Sequence, residues 1–307
     1  MNKKRIMSTT VLAAAISALV GGAAGVANAT EPCGDFGECK ALVEINASDG
    51  DIGFHFLMDG DALIYGALFN PRHRKIFTYY PRRELRRQTS TELFQESAEP
   101  PCNPDEAEDD EDVVTLEDFL DRWDDGTYYF FGINSDWEAQ FGESELTFNL
   151  PAAPAEVEYE SEEDNGDIEG EISWEPGDDL GECSDGMNLL PMAPGDVPVA
   201  IWEVVLEPDV EDGNLLGSMK YVVRIPGDAE ELEVEVPDDY LETLPDNTPA
   251  KAEVGAIGFD DNATFSEIDE ICLNDTDPEG TLGPDPEDEE EEVLLNGCGF
   301  VVEEEGD

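Results

Sequence analysis

Basic residues are scarce in this chain: 15 Lys and Arg stand against 77 Asp and Glu, with only 2 His, for a formal net charge of −62. A surface this anionic repels a phosphate backbone, which excludes nucleic acid as a partner and disfavours anionic membranes. Gly-x-Ser-x-Gly, His-Glu-x-x-His and phosphate-cradling glycine loops are missing, so the chemistries those motifs carry have no footing. His55 lies in a strand-like run and His73 among basic residues, neither with a nucleophile or carboxylate partner set by spacing. Paired carboxylates of a hydrolase would be invisible here, because 77 acids produce pairs by chance. No Cys-x-x-Cys or paired Cys/His spacing occurs, which leaves zinc without a ligand pattern. Beyond residue 29, no stretch approaches the roughly 20 apolar residues of a membrane-crossing helix.

What the chain does have begins at its first residues. Lys3, Lys4 and Arg5 precede an alanine-rich apolar stretch that ends in Ala27, Asn28 and Ala29. A basic start, a hydrophobic middle and an Ala-x-Ala site read as a secretory signal over residues 1–29, of compact bacterial type. The expected location is secreted or periplasmic. Removing that segment leaves 12 Lys and Arg against 77 Asp and Glu, a formal charge of −65. All six cysteines, Cys33, Cys39, Cys102, Cys183, Cys272 and Cys298, lie beyond the cleavage point. An even set in an exported chain favours disulfides over metal ligation. Six cysteines allow many pairings, and the expected one joins Cys183 to Cys272.

Residues 151–273 carry the most specific pattern. Ile168 to Pro176 form an apolar run ending in Ser173, Trp174, Glu175 and Pro176, and Val199 to Leu206 form another with Trp202 near its middle. Leu232, Val234 and Val236 alternate with Glu231, Glu233 and Glu235, as one buried and one wet sheet face require. Val254 to Ile257 and Ala263 to Cys272 read as the last two strands. This set resembles the fibronectin type III module, an immunoglobulin-like β-sandwich, and the resemblance implies that Trp174 fills the core. Where that family has a corner tyrosine this chain has Ala250, so another group must hold the corner. The segment Gly177 to Pro198 is far longer than a hairpin loop.

Residues 30–150 are long enough for a β-domain with its own core. Strand-like runs fall at Ala41 to Ile45, Ile52 to Leu57, Ala62 to Phe69, Lys75 to Tyr80, Thr127 to Ile133 and Ser144 to Leu150, with turns at Asp49-Gly50 and Asp59-Gly60. Leu116, Phe119, Leu120 and Trp123 are at helical spacing behind a Thr115 cap, giving one short helix. Tyr128 to Phe131 place aromatics on both faces of one strand, with both faces expected to be covered. The stretch Thr91 to Pro101, with the junction Leu150 to Pro154, resembles secreted bacterial proteins that carry such a β-domain before a single fibronectin type III module; that resemblance implies no catalytic residues.

Seven of the twelve basic residues beyond the signal are packed between positions 72 and 87: Arg72, Arg74, Lys75, Arg82, Arg83, Arg86 and Arg87, with Tyr79 and Tyr80 among them. The cluster is a candidate patch for an anionic partner. The plainer expectation is a wet hairpin that neutralises carboxylates of its own molecule. Asp105 to Asp112 and Asp285 to Glu292 are acidic blocks that bury nothing, so residues 274–307 are expected to be a disordered acidic tail. Asp275, Asp277 and Glu279 match the first ligand positions of a calcium loop, but Pro286 stands where the bidentate Glu belongs.

The expectation is an all-β chain of two sandwich-like domains, the second fibronectin type III-like, with one short helix in the first. Its expected role is a non-enzymatic binding or structural surface module, without a cofactor, for an unknown protein or polysaccharide. A calcium-dependent module is the alternative and a carboxylate-based hydrolase the third reading.

Overall fold

The computed structural model describes residues 33–104, 112–164, 167–210, 213–278, 280–284 and 292–301. Residues 1–29, where an export signal is expected, most of both acidic blocks and Glu279 lie outside the described residues. The described chain is mostly strand. In order, the first half runs β1 (Glu38–Asn46), β2 (Asp51–Phe69), β3 (Lys75–Tyr79), α1 (Arg83–Gln88), β4 (Ser90–Glu96), α2 (Leu116–Arg122), β5 (Gly126–Asn134) and β6 (Ala139–Leu146). Thr115 caps α2 as its spacing predicts, its Oγ1 accepting the Asp118 amide at 3.2 Å. The second helix, α1, is a departure from expectation: its apolar Leu85 is exposed, so no buried stripe announces it. Glu84 in its first turn and Arg86 and Arg87 in its last suit the helix dipole.

The turn expected at Asp59-Gly60 is instead a bulge inside β2. The register against β4 shifts between Asp59 and Leu63, and Ala62 takes a left-handed φ of 46°. The bend lets one 19-residue strand serve two sets of neighbours. Its first part pairs with β1 and β4, and its second with β3 and β5, beyond which β6 pairs with β5. Between these layers, Val43, Ile45, Ile52, Phe54, Phe56, Tyr128 and Phe130 form a core closed by Leu116 and Phe119 of α2.

The second half adds β7 (Ala155–Asp164), β8 (Asp167–Glu175), β9 (Val199–Pro208), β10 (Tyr221–Pro226), β11 (Glu233–Val236), α3 (Asp238–Leu241), β12 (Thr248–Gly258) and β13 (Ala263–Leu273). The sheet β11-β8-β7 packs on β10-β9-β12-β13, with Ile172, Trp174, Trp202, Val204, Val254 and Ile271 between them. Trp174 is buried, while Glu231, Glu233 and Glu235 are exposed, so the register read from alternation holds. At the corner around Ala250, where the resemblance leads one to expect a tyrosine, Asn274 Nδ2 donates to the carbonyls of Leu241 at 2.8 Å and Leu244 at 3.1 Å. Thr248 Oγ1 donates to Pro245 O at 2.7 Å, and these bonds hold the turn instead.

Two cores exist, but one sheet crosses both halves. β1 pairs in parallel with β13, Glu44 opposite Ala263 and Asn46 opposite Phe265. The strand order is therefore continuous from β10 through β13 and β1 to β6. The segment between the halves is no free linker: residues 150–154 are all buried, and Thr264 and Ser266 each donate a hydroxyl to it, to Pro151 O and Pro154 O at 2.7 Å. Asn262 is fully buried at this seam, accepting the Val43 amide at 2.8 Å and donating to Thr147 O at 3.0 Å and Asn149 O at 3.1 Å. Replacing it with alanine strands those backbone groups, so Asn262→Ala should lower stability by about 3 kcal/mol. Urea unfolding checks this, and a change below about 0.5 kcal/mol would contradict the role assigned to the seam.

All six cysteines are paired, as Cys33–Cys39, Cys102–Cys183 and Cys272–Cys298, which corrects the expected Cys183–Cys272 bridge. The reason is the course of the Gly177 to Pro198 segment. It folds onto the first half, burying Leu180 and Cys183 in the first core. The tail is not wholly disordered either: β14 (Thr281–Pro284) pairs with β15 (Glu292–Leu295), and Cys298 ties this hairpin to β13. No helix among the described residues is long and apolar enough to cross a membrane.

Candidate functional sites

The basic cluster and the half-covered face of β5 meet on one surface. Tyr128 and Phe130 point into the core, whereas Tyr129 and Phe131 remain partly exposed, so the expectation that both faces are covered fails on the outer one. There Phe69, His73, Tyr129, Phe131 and Phe141 line a groove of about 760 Å³, with Glu143 the acid at its edge. Phe141 is 58% exposed. Its ring lies 5.2 Å from that of Phe131, and Tyr129 lies 5.0 Å from His73. A row of aromatics with open faces is a candidate contact surface.

Register places cations at both ends of this row. Phe69 and the turn holding Arg72, His73 and Arg74 sit at one end of the second part of β2. Gly66 pairs with Tyr79 and Leu63 with Asn134, so Tyr80, α1 and the β5–β6 turn share the other end. The Arg86 guanidinium lies 5.4 Å from the Tyr80 ring centre and 5.6 Å from that of Trp137, and Arg82 lies 5.6 Å from Tyr80. The stretch of β2 from Leu63 to Phe69 makes the row about 20 Å long at the usual rise per residue.

Among the described residues, little of the counter-charge expected for this cluster is found. Arg72 pairs with Asp124. Arg74, Lys75, Arg82, Arg83, Arg86 and Arg87 make no ion pair among the described residues. Lys40, Lys220, Arg224 and Lys251 behave differently, each pairing with a carboxylate, whereas Arg122 makes no ion pair among the described residues.

A second constellation, not visible in the sequence, surrounds His55. Glu44 on β1 and His55 on β2 share a sheet face, since Glu44 is opposite Gly53 in the register. After β4 the chain runs back along β2, with Ser97 N donating to Phe54 O at 3.0 Å and its Oγ accepting the Phe54 amide at 3.0 Å. Asp51 bridges to Pro101, and Cys102 N donates to Gly50 O at 2.7 Å beside the Cys102–Cys183 disulfide. This strap carries Glu99 over Gly53, where its Oε1 is 2.9 Å from His55 Nε2. A Cβ at Gly53 would lie 2.8 Å from both atoms, so only glycine leaves room for the pair. His55 is fully buried, and its Nδ1 has no hydrogen-bond partner among the described residues; Glu44 Oε2 stands 3.8 Å away. Burial pushes the Glu44 carboxyl up to about 7, with the charges of Glu99 and Glu96 adding to it and that of His55 opposing. Burial pulls His55 down, but the Glu99 bond and the Glu44 charge outweigh it and leave the imidazole above its ordinary range.

In the tail, Asp275 Oδ1 accepts the amides of Asp277 and Gly297, both at 2.9 Å, and Asp277 Oδ2 accepts from Thr281 Oγ1 at 2.6 Å. These carboxylates fasten the β14–β15 hairpin. Glu279 lies outside the described residues.

No family model matches this chain, and no curated protein does. Solved structures give distant likenesses. One concerns the retention of a 1.5-MDa bacterial ice-binding adhesin on the host cell surface, at 11% identity over 80% of this chain and 65% of that one, with a TM-score of 0.23. The BSP domain of a biofilm-associated protein gives 14% identity over 79% of this chain and 30% of that one, TM-score 0.21. A tetra-tandem repeat from the extending region of a large adhesion protein gives 8% identity over 75% and 48%, TM-score 0.20. The chain spans less than two thirds of each of these three structures.

Proposed function

We propose that the protein is an exported, non-enzymatic β-sandwich module, its second half of the fibronectin type III kind, that holds an anionic polysaccharide along the aromatic row between β3 and β6. The observation that carries this reading is the set of six basic residues that make no ion pair among the described residues of a chain of net charge −62. Leaving cations unpaired amid so many carboxylates is understandable if an external anion completes them. Aromatic faces suit the apolar faces of sugar rings, and cations at both ends suit a charged polymer spanning about 20 Å rather than a small ligand. The seven-strand arrangement of β7 to β13 and the burial of Trp174 support the sandwich assignment. Six paired cysteines support export.

Affinity electrophoresis with polygalacturonate and with neutral dextran tests the reading. Retardation is expected in polygalacturonate alone and should weaken with added salt. Tyr129→Ala, and separately Arg74→Glu with Lys75→Glu, should each weaken binding by about tenfold, equivalent to about 1.4 kcal/mol. Equal retardation in dextran, or charge-reversed protein that binds like the parent, would remove the proposal.

A further inference from the structure

We propose that Glu44 and His55 form a buried site for a divalent transition-metal ion, with Glu99 as the positioning residue that orients the imidazole. An ionised carboxylate only accepts hydrogen bonds, so the 2.9 Å contact with Glu99 Oε1 puts the ring proton on Nε2. In the neutral imidazole, Nδ1 is then a bare lone pair, fully buried, and it faces another acceptor, Glu44 Oε2, at 3.8 Å. Two acceptors at that separation are too far apart to share a proton well. A cation about 2 Å from each can be held between them, and closing the pair by roughly 0.4 Å brings the angle to tetrahedral. A histidine that ligates through one nitrogen and donates its other N–H to a carboxylate is the usual support of a protein-bound metal. Ligand atoms of Glu44, His55 and Glu99 all lie within 4.8 Å of one another. The requirement for glycine at position 53 and the Ser97-anchored strap show that the fold places these groups closely.

Nitrogen with carboxylate oxygen favours Zn²⁺ over Ca²⁺ or Mg²⁺. Two protein ligands leave coordination positions for water, and the Glu44 and Glu99 side chains keep 9% and 18% exposure. The site is distinct from the tail carboxylates Asp275 and Asp277, which are engaged in the β14–β15 hairpin.

The test uses the full exported chain stripped with a chelator and titrated with Zn²⁺ in a calorimeter. One saturable site is expected, which equimolar Ca²⁺ does not displace. Glu44→Gln should weaken it at least tenfold and Glu99→Gln by about tenfold, whereas His73→Ala should leave it unchanged. If Glu44→Gln does not fold, imidazole ¹⁵N spectra of the parent decide: Zn²⁺ should shift Nδ1 of His55 and leave the proton on Nε2. No saturable binding at millimolar Zn²⁺, an unshifted His55, or a folded Glu44→Gln variant with parental affinity would each overturn the proposal.

Discussion

Acidifying the metal-free protein from pH 8 to pH 5 should stabilise it, by on the order of 3–5 kcal/mol at constant ionic strength. Burial pushes the Glu253 carboxyl up to about 8, and the charge of Glu267, directly opposite in the β12–β13 register, adds to it. Burial likewise raises Asp51 to about 7, with Glu99 and Asp49 adding. The ordinary values are 4.5 and 3.8. Between those values and the raised ones, the folded state holds protons that the unfolded chain has released. Stability is therefore full below the ordinary carboxylate range and is lost as pH rises through 7 and 8. The large negative charge acts in the same direction, because acid relieves self-repulsion. Urea unfolding at pH 5 and pH 8 measures the difference, and Glu253→Gln should raise stability at pH 8 and flatten the profile. A protein more stable at pH 8 than at pH 5 would show that these carboxylates are ionised comfortably in the fold.

Opening the Cys102–Cys183 bridge has the next largest expected effect. It joins the end of the strap to the Gly177 to Pro198 segment across a sequence separation of 81. Replacing both cysteines with alanine should cost about 2–4 kcal/mol. The loss should be local first: residues 177–198 become the earliest proteolytic cleavage site, since the stretch around Cys183 is held by Leu180 in the core, by partly buried Met187 and Leu190, and by bonds such as Glu182 N to Ala47 O at 3.0 Å. Unchanged urea midpoints and unchanged protection of the loop would mean that its packing alone holds it.

Strand patterning reveals what is local. Alternation of Leu232, Val234 and Val236 with three glutamates places β11 and its wet face, and the Thr115 cap with apolar residues at helical spacing places α2. Pairings that join residues far apart leave no such trace. Nothing near Glu44 announces that it faces Ala263, 219 positions on, so the two cores read as independent domains although one sheet crosses them. The cysteines mislead for the same reason, because Cys183 lies within the second half in sequence and within the first core in space. The His55 constellation needs three separate returns of the chain, and its one local sign is Gly53, a glycine inside a strand where close approach is a known cause. The basic cluster is visible at once; that all of its members but Arg72 lack a carboxylate partner among the described residues emerges only from the geometry of the folded chain.

The most direct test of the polysaccharide reading is amide hydrogen exchange of the full chain with and without polygalacturonate. Binding along the row should slow exchange at residues 69–87 and 129–141, where the cations and open aromatics lie, and leave the β14–β15 hairpin and β11 unchanged. Protection concentrated on the hairpin or β11, with residues 69–87 and 129–141 exchanging as in the free protein, would contradict the account.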